Sequence, residues 1–317
     1  MAREKRLEVA CLGILVADMV ARPVDEVPPP GELRLVGEMG LYVGGCAANT
    51  ATGLARLGIT TGVLGKVGGD ALGDFLLRAL AAEGVDVGGV VADPTGSTSA
   101  SIALVRPGGE RAFLHSLGGN GTLLAAEVDI ESSGPAPILH VGGVGLMPSL
   151  DGAPLAELCA RARQLGMTVT LDTAWDPLGR WADVLEVLPH LDYFLPSLEE
   201  AQHIFGVKGA PVLALRAREL GARHVVVKMG ARGCHVLPEG AAAGLDLPPL
   251  QVQAVDTTGA GDAFCAGFVA GLARGWGIVE AARLGTVTGG LAVTRVGAVS
   301  GLRSWEDTRA IYERGNV

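Results

Sequence analysis

The sequence predicts an α/β fold whose mainly parallel sheet is covered by helices on both faces. Short apolar runs alternate along the chain with stretches that carry apolar residues at helical spacing. Glycine accounts for 48 of 317 residues, too many for an all-helical protein. Hydrophobic content is 49% but aromatic content only 4%, so the core has to be built from Ala, Val and Leu. The glycines follow no period, which removes collagen-like and low-complexity readings.

In chain order, the runs VACLGILV (9–16), TGVLGKVG (61–68), PILHVGG (137–143), TVTLD (168–172), YFLP (193–196) and HVVVKMG (224–230) are expected strands. Helical spacing marks 49–57, 72–83, 153–165, 198–205 and 211–220 between them. In such sheets ligands bind beyond the carboxyl ends of the strands. Two stretches break the alternation, at about 20–43 and 96–118. The second reads as a hairpin turning at Pro107, Gly108 and Gly109; the first contributes an alternating strand over 32–42. Together they predict a small antiparallel sheet standing off the body as a lid. With no repeat and no linker, residues 1–317 are expected to form a single domain. MAREKR followed by an apolar stretch superficially resembles a signal peptide, but Glu8 and Asp18 interrupt it. It is read as a buried first strand of a soluble protein.

Net charge is −9 with no Lys/Arg cluster, which argues against a nucleic-acid footprint. An anionic ligand would have to be held locally, by backbone amides and a few basic side chains. The five cysteines are scattered without a C-x-x-C pair, which predicts free thiols and a cytoplasmic setting.

DTTGAGD at 256–262 is the stretch with chemistry in it. A glycine-rich turn opening a helix is an anion site, because the first helical amides lack partners and the dipole is positive there. Small residues at Gly259, Ala260 and Gly261 permit close approach. A carboxylate at Asp262 is repelled by a bound anion, so it makes sense as a base taking a proton from an attacking hydroxyl. Capping of the helix by Asp262 is the plainer alternative for that residue alone.

DTTGAGD resembles the D-T-x-G-A-G-D signature of the ribokinase-like (phosphofructokinase-B type) carbohydrate kinases. GGCAANTATGLARLG (44–58), GKVGGDALG (65–73), VKMGARG (227–233) and LAVTRVGA (291–298) resemble further segments of that family, in order and over essentially the whole chain. The resemblance implies a three-layer α/β/α sandwich with a β lid, and ATP-dependent phosphorylation of a hydroxymethyl group on a small sugar or sugar derivative. It implies Asp262 as catalytic base, with Gly259, Ala260 and Gly261 as the anion hole. Asp18, Gly44, Gly45 and Asn49 would hold the sugar. Lys228, Gly230 and Gly233 would form the nucleotide-phosphate turn, with Thr286 against the adenine. Glu200 would position Mg²⁺ through water. Asp256 and Thr258, with the carbonyls of Ala292 and Gly297, would hold a monovalent cation, expected to be K⁺, beside the anion hole.

The chain departs from the family pattern in three places. Ser197 stands where the family's N-x-x-E motif has asparagine. LDTAWDPLGRW (171–181) replaces a D-x-N-x-R segment found in some members. Ser300 sits one position early in the cation loop. Cys46 and Cys265 flank the motifs, but phosphoryl transfer to an alcohol needs no thiol. A nucleoside kinase of the same fold is the alternative, with Tyr42, Phe113 and Leu117 as the visible base-pocket candidates. A dinucleotide oxidoreductase would want G-x-G-x-x-G after the first strand, which is missing. A sugar-binding module would have no use for Asp262 beside an anion hole. Lids of this kind can pair between chains, so a homodimer is expected as a possible assembly.

Overall fold

The computed structural model describes residues 6–108, 110–131 and 136–315. Its strands are β1 (Val9–Gly13), β2 (Val16–Arg22), β3 (Glu38–Gly44), β4 (Thr61–Gly68), β5 (Asp86–Asp93), β6 (Ala100–Val105), β7 (Arg111–Ser116), β8 (Ile138–Val144), β9 (Thr168–Thr173), β10 (Tyr193–Phe194), β11 (His224–Lys228), β12 (Cys234–Leu237) and β13 (Leu245–Leu247). Its helices are α1 (Cys46–Arg56), α2 (Ala71–Ala82), α3 (Gly118–Thr122), α4 (Ala153–Gln164), α5 (Asp183–Val187), α6 (Leu198–Phe205), α7 (Ala210–Glu219), α8 (Ala260–Ala273), α9 (Ile278–Ala292) and α10 (Trp305–Glu313).

Nine strands form the main sheet in the order β13-β12-β11-β10-β9-β8-β1-β4-β5. It is parallel from β11 to β5, and β12 and β13 add antiparallel strands at one edge. The pleat of β1 shows how the sheet divides the core. Ala10 and Leu12 belong to the core on the side of α4, α6 and α7, whereas Val9 and Cys11 belong to the core on the side of α1, α2, α8 and α9. Every residue of β1, β4 and β8 is buried, as continuous apolar runs covered on both faces require. Helix α8 is apolar nearly all round and buried from Asp262 to Gly271, so it packs as a core helix. Gly267 lets α9 come close, since a Cβ there would stand 2.1 Å from Thr288 Oγ1.

The lid differs from its expected form in three respects. Its four strands run in the order β3-β2-β6-β7, and the central pair, β2 with β6, is parallel. Only the outer pairs are antiparallel. The run 9–16, expected as one strand, leaves the main sheet after Gly13 and re-forms as lid strand β2 at Val16, so the lid begins at Val16 and not at about 20. The side-chain amide of Asn120 takes the place of a neighbouring strand at this crossing. It accepts from the Leu15 N–H at 3.1 Å and donates to the Leu15 carbonyl at 3.1 Å, and satisfies backbone groups that would otherwise be buried unpaired. The expected strand at 32–42 begins only at Glu38, because its partner β2 ends at Arg22 and the next residue, Pro23, cannot donate to the ladder. Of the hairpin turn, Gly109 lies outside the described residues; Arg106 N–H to Glu110 carbonyl, at 2.8 Å, closes it.

Candidate active site

The site lies at the carboxyl ends of β1, β8, β9 and β11, below the lid. Two cavities meet there. A cleft of about 1020 Å³ is lined by Asp172, Thr173, Trp175, Glu200, Lys228 and the 257–262 turn, among others. A smaller cavity of about 440 Å³ lies under the lid, lined by Asp18, Tyr42, Ala103, Phe113, Asp256 and Gly297, among others. Arg111, Phe113 and Thr258 line both.

Gly259 caps α8 in the left-handed conformation, φ 69°, which favours glycine. The chain then enters the helix with Ala260, Gly261 and Asp262 as its first three residues, all lining the cleft. Asp262 is 9% exposed, and its Oδ2 accepts from the Asn49 amide at 2.7 Å. Burial pushes its carboxyl above the usual range, against the pull of Asn49 and Lys228. Asn49 is the fourth residue of α1, and its Oδ1 is buried with no partner among the described residues. Gly44 is required by Asp18: a Cβ there would stand 1.9 Å from Asp18 Oδ2. Asp18, expected just past the first strand, sits within lid strand β2, and Gly45 precedes α1 as its N-cap. Burial raises the Asp18 carboxyl to about 6, with the Ser101 hydroxyl opposing and the Asp262 charge adding to the shift.

Under the turn lies an ion pair that the sequence reading missed. Lys228 Nζ donates to Asp172 Oδ1 at 2.6 Å, and the Cys265 thiol donates to Asp172 Oδ2 at 3.3 Å. Burial works against the ammonium, but the Asp172 carboxylate outweighs it and holds Lys228 above the usual lysine value. The ammonium lies directly beneath the 259–261 turn, since a Cβ at Gly261 would be 3.2 Å from Lys228 Nζ. Lys228 therefore faces the cleft held by a partner, not as a free lysine at a strand end. Gly230 also lines the cleft. Gly233 does not: it packs against β13, where a Cβ would meet the Leu247 carbonyl at 1.9 Å. Thr286 is buried in α9, its hydroxyl donating to the Arg283 carbonyl at 2.7 Å, and lines neither cavity. A base stacked on it would have to displace the packing that covers it.

Ser197 and Glu200 form a capping box on α6. Ser197 Oγ accepts from the Glu200 N–H at 3.2 Å, and Glu200 Oε2 accepts from the Ser197 N–H at 3.1 Å and from Thr173 Oγ1 at 2.8 Å. Burial pushes the Glu200 carboxyl upward.

Asp256 is the hub of the turn. Its Oδ1 accepts from the Thr258 N–H at 2.9 Å, the Thr258 hydroxyl at 2.6 Å and Arg111 Nη1 at 2.8 Å, and its Oδ2 accepts from the Gly297 N–H at 2.9 Å. Burial opposes the charge, but the Gly297 amide, Thr258 and Arg111 outweigh it and hold the carboxyl below its usual range. Ala292, the last residue of α9, is fully buried below the same loop. The apolar-run and Gly-turn signals that located Asp262 carry no information about Asp172 or Arg111, which reach the site only through tertiary packing.

A buried carboxylate beside the unpaired amides of a helix start, with a lysine beneath them, can accept a proton from an alcohol while the amides bind a phosphoryl group. Comparison with known proteins agrees with that chemistry. The model of the pfkB family of carbohydrate kinases matches residues 6–305. The chain is 32% identical over 251 residues to an uncharacterized sugar kinase of Archaeoglobus fulgidus, a match covering 79% of this chain and 98% of the relative. It is 30% identical over 292 residues to 2-dehydro-3-deoxygluconokinase of Bacillus subtilis, covering 87% and 88% of the two chains. The crystal structure of ribokinase from Thermotoga maritima superposes with a TM-score of 0.82 at 26% identity, covering 97% of this chain and 99% of that one. The chain belongs to the pfkB family of carbohydrate kinases, phosphotransferases that act on an alcohol acceptor, and carries the ribokinase fold.

Proposed function

We propose that the protein transfers the γ-phosphoryl group of Mg·ATP to the hydroxymethyl group of a small sugar or sugar derivative, with Asp262 as the base. The observation that carries this reading is the state of Asp262. It is buried, raised in pKa, held at one oxygen by Asn49, and placed on the first turn of a helix whose leading residues line the same cleft. The acceptor hydroxyl gives its proton to Asp262 as its oxygen bonds to the γ-phosphorus, and the bond to the ADP oxygen breaks. The amides of Gly259, Ala260 and Gly261, with the Lys228 ammonium below, stabilise charge on the phosphoryl oxygens. The unpaired Asn49 Oδ1 calls for a hydroxyl donor from the acceptor, and Asp18 accepts further sugar hydroxyls.

Mg²⁺, when bound with ATP, neutralises phosphate charge. Among the described residues no three His, Cys, Asp or Glu side chains converge on a metal position, which suits an ion held mainly by phosphates and waters, with Glu200 as the nearby acid. Asp256, Thr258 and the carbonyls of Ala292 and Gly297 are the oxygens a monovalent cation would take, but both Asp256 oxygens already accept, Oδ1 from Thr258 and Arg111 and Oδ2 from the Gly297 N–H. The lid, closing over the acceptor, excludes water. Its outer face exposes Met19, Met39, Ile102 and Leu114, which we assign to pairing with a second copy. No helix among the described residues is long and apolar enough to cross a membrane, and five free cysteines suit the reducing cytoplasm where we place the enzyme. Phe113 and Tyr42 lining the smaller cavity favour a nucleoside as the second reading, since a base needs such walls.

The test is ADP release with Mg·ATP against pentoses, hexoses, keto-deoxy sugar acids and nucleosides, with Asp262→Ala in parallel. Turnover with a sugar, reduced about 10²–10⁴-fold in the variant, is expected. Turnover confined to a nucleoside would select the second reading, and undiminished turnover in the variant would remove Asp262 from the chemistry.

A further inference from the structure

Arg111 opens lid strand β7, and its side chain bridges the lid to the turn that leads into α8. Nη1 meets Asp256 Oδ1 at 2.8 Å and Nη2 meets Thr257 Oγ1 at 2.6 Å, although the two segments are 145 residues apart. The pair is mostly buried, with side chains 19% and 15% exposed, and it forms part of the wall between the two cavities. The Asp256 carboxylate also ties the 256–258 turn to the loop at Gly297. That carboxylate lies beside a turn built to bind an anion. Without a countercharge it repels the phosphoryl group and, through Thr258, loosens the turn that positions Gly259 to Gly261.

We propose that Arg111 is a positioning residue that supplies this countercharge from the lid. The anion-binding turn then reaches its working geometry only while the lid is down. The guanidinium also takes, in that state, the electrostatic role that a monovalent cation would fill at the same carboxylate. The inference rests on the kinase reading above. Lifting the lid withdraws Arg111 from Asp256, so a cation from solvent and the closed lid compete for one carboxylate. Wild-type protein is accordingly only weakly responsive to K⁺, and removal of the guanidinium creates the dependence.

The decisive measurement is amide hydrogen exchange of the full-length protein, wild type, Arg111→Ala and Arg111→Lys, each in choline chloride and in KCl. Arg111→Ala in choline is expected to speed exchange of the 256–261 amides by about tenfold or more, while amides of the main sheet stay as in wild type. KCl, or low guanidinium, restores protection in Arg111→Ala, and Arg111→Lys falls between. In the coupled assay the variant's kcat drops in choline and recovers in KCl, with acceptor KM little changed, while wild-type kcat is the same in both salts. Equal exchange at 256–261 in wild type and Arg111→Ala overturns the proposal. So does K⁺ protection of wild type as strong as that of the variant. Exchange needs no acceptor, so a wild type that phosphorylates nothing would sink the kinase reading while the exchange data still decide the role of Arg111.

Discussion

Below the cleft, Lys228 and Asp172 pair at 2.6 Å with side chains 11% and 3% exposed; above it, Arg22 and Glu38 pair at the same distance with side chains 32% and 47% exposed. Equal geometry does not mean equal consequence. The upper pair sits in water that screens it, and its loss costs little. The lower pair is shut between β9, β11 and α8, so removing Lys228 strands the buried Asp172 carboxylate with the Cys265 thiol as its remaining side-chain donor. The floor of the site is therefore rigid because its polar groups have nowhere else to go. The lid leaves Met39 62% and Leu114 64% exposed, so less of it is tied down by buried apolar contacts. A phosphotransferase needs both: a floor that keeps amides and base in place, and a roof that opens for the acceptor.

The sharpest way to break this contrast is Lys228→Met. It is expected to cost about 3–5 kcal/mol of stability by denaturant unfolding, against about 0–1 kcal/mol for Arg22→Ala. The double variant Lys228→Met with Asp172→Leu should recover much of the loss, because it removes both charges together. Equal, small losses in both single variants would show that the floor pair is hydrated and the contrast false.

Next in size is a pH effect at the lid root. Asp18 titrates at about 6 in the folded protein against 3.8 unfolded, so between those values the folded state binds more protons and stability falls as pH rises. On the role proposed for Asp18, sugar binding needs the carboxylate and runs the other way: acceptor KM should rise as pH drops below about 6. Asp18→Asn should flatten that rise without lowering the melting temperature at pH 8. A KM that keeps its pH dependence in the variant would move the titration to Asp262, whose own raised carboxyl should instead depress kcat at low pH.

The smallest expected effect on stability comes from the outer lid. Ile102→Thr with Leu114→Lys should change unfolding by under about 0.5 kcal/mol, since the two side chains face each other across β6 and β7 and are 43% and 64% exposed. The same change should turn a dimer into a monomer by sedimentation. An unaltered assembly would assign the apolar outer face of the lid another role.

What could be read locally was read well. Strand 61–68 and helix 198–205 appear with the boundaries expected, because a short, mostly apolar run and apolar residues at helical spacing are complete signals in themselves. Strand β5 was missed because Gly88 and Gly89 interrupt its apolar pattern, and β12 and β13 because they are too short to show a period. Helices α9 and α10 went unassigned as well. The run 9–16 was read as one strand because hydropathy does not register a change of sheet. Only the approach of Asn120, 105 residues away, ends β1 and lets β2 begin.

By itself the sequence determined the layered α/β order, the small-residue turn that opens α8, and the chemistry that Asp262 offers there. Periodicity and turn residues act within a few positions of the chain, and these features are complete at that range. Tertiary structure alone decided that Asp172 neutralises Lys228 beneath the turn, that Asn49 holds Asp262, and that Arg111 reaches Asp256 from the lid. Those pairs span 56, 213 and 145 residues. Polar groups so far apart in sequence are brought within 3 Å only by the order in which strands enter the two sheets, and no local pattern encodes that order.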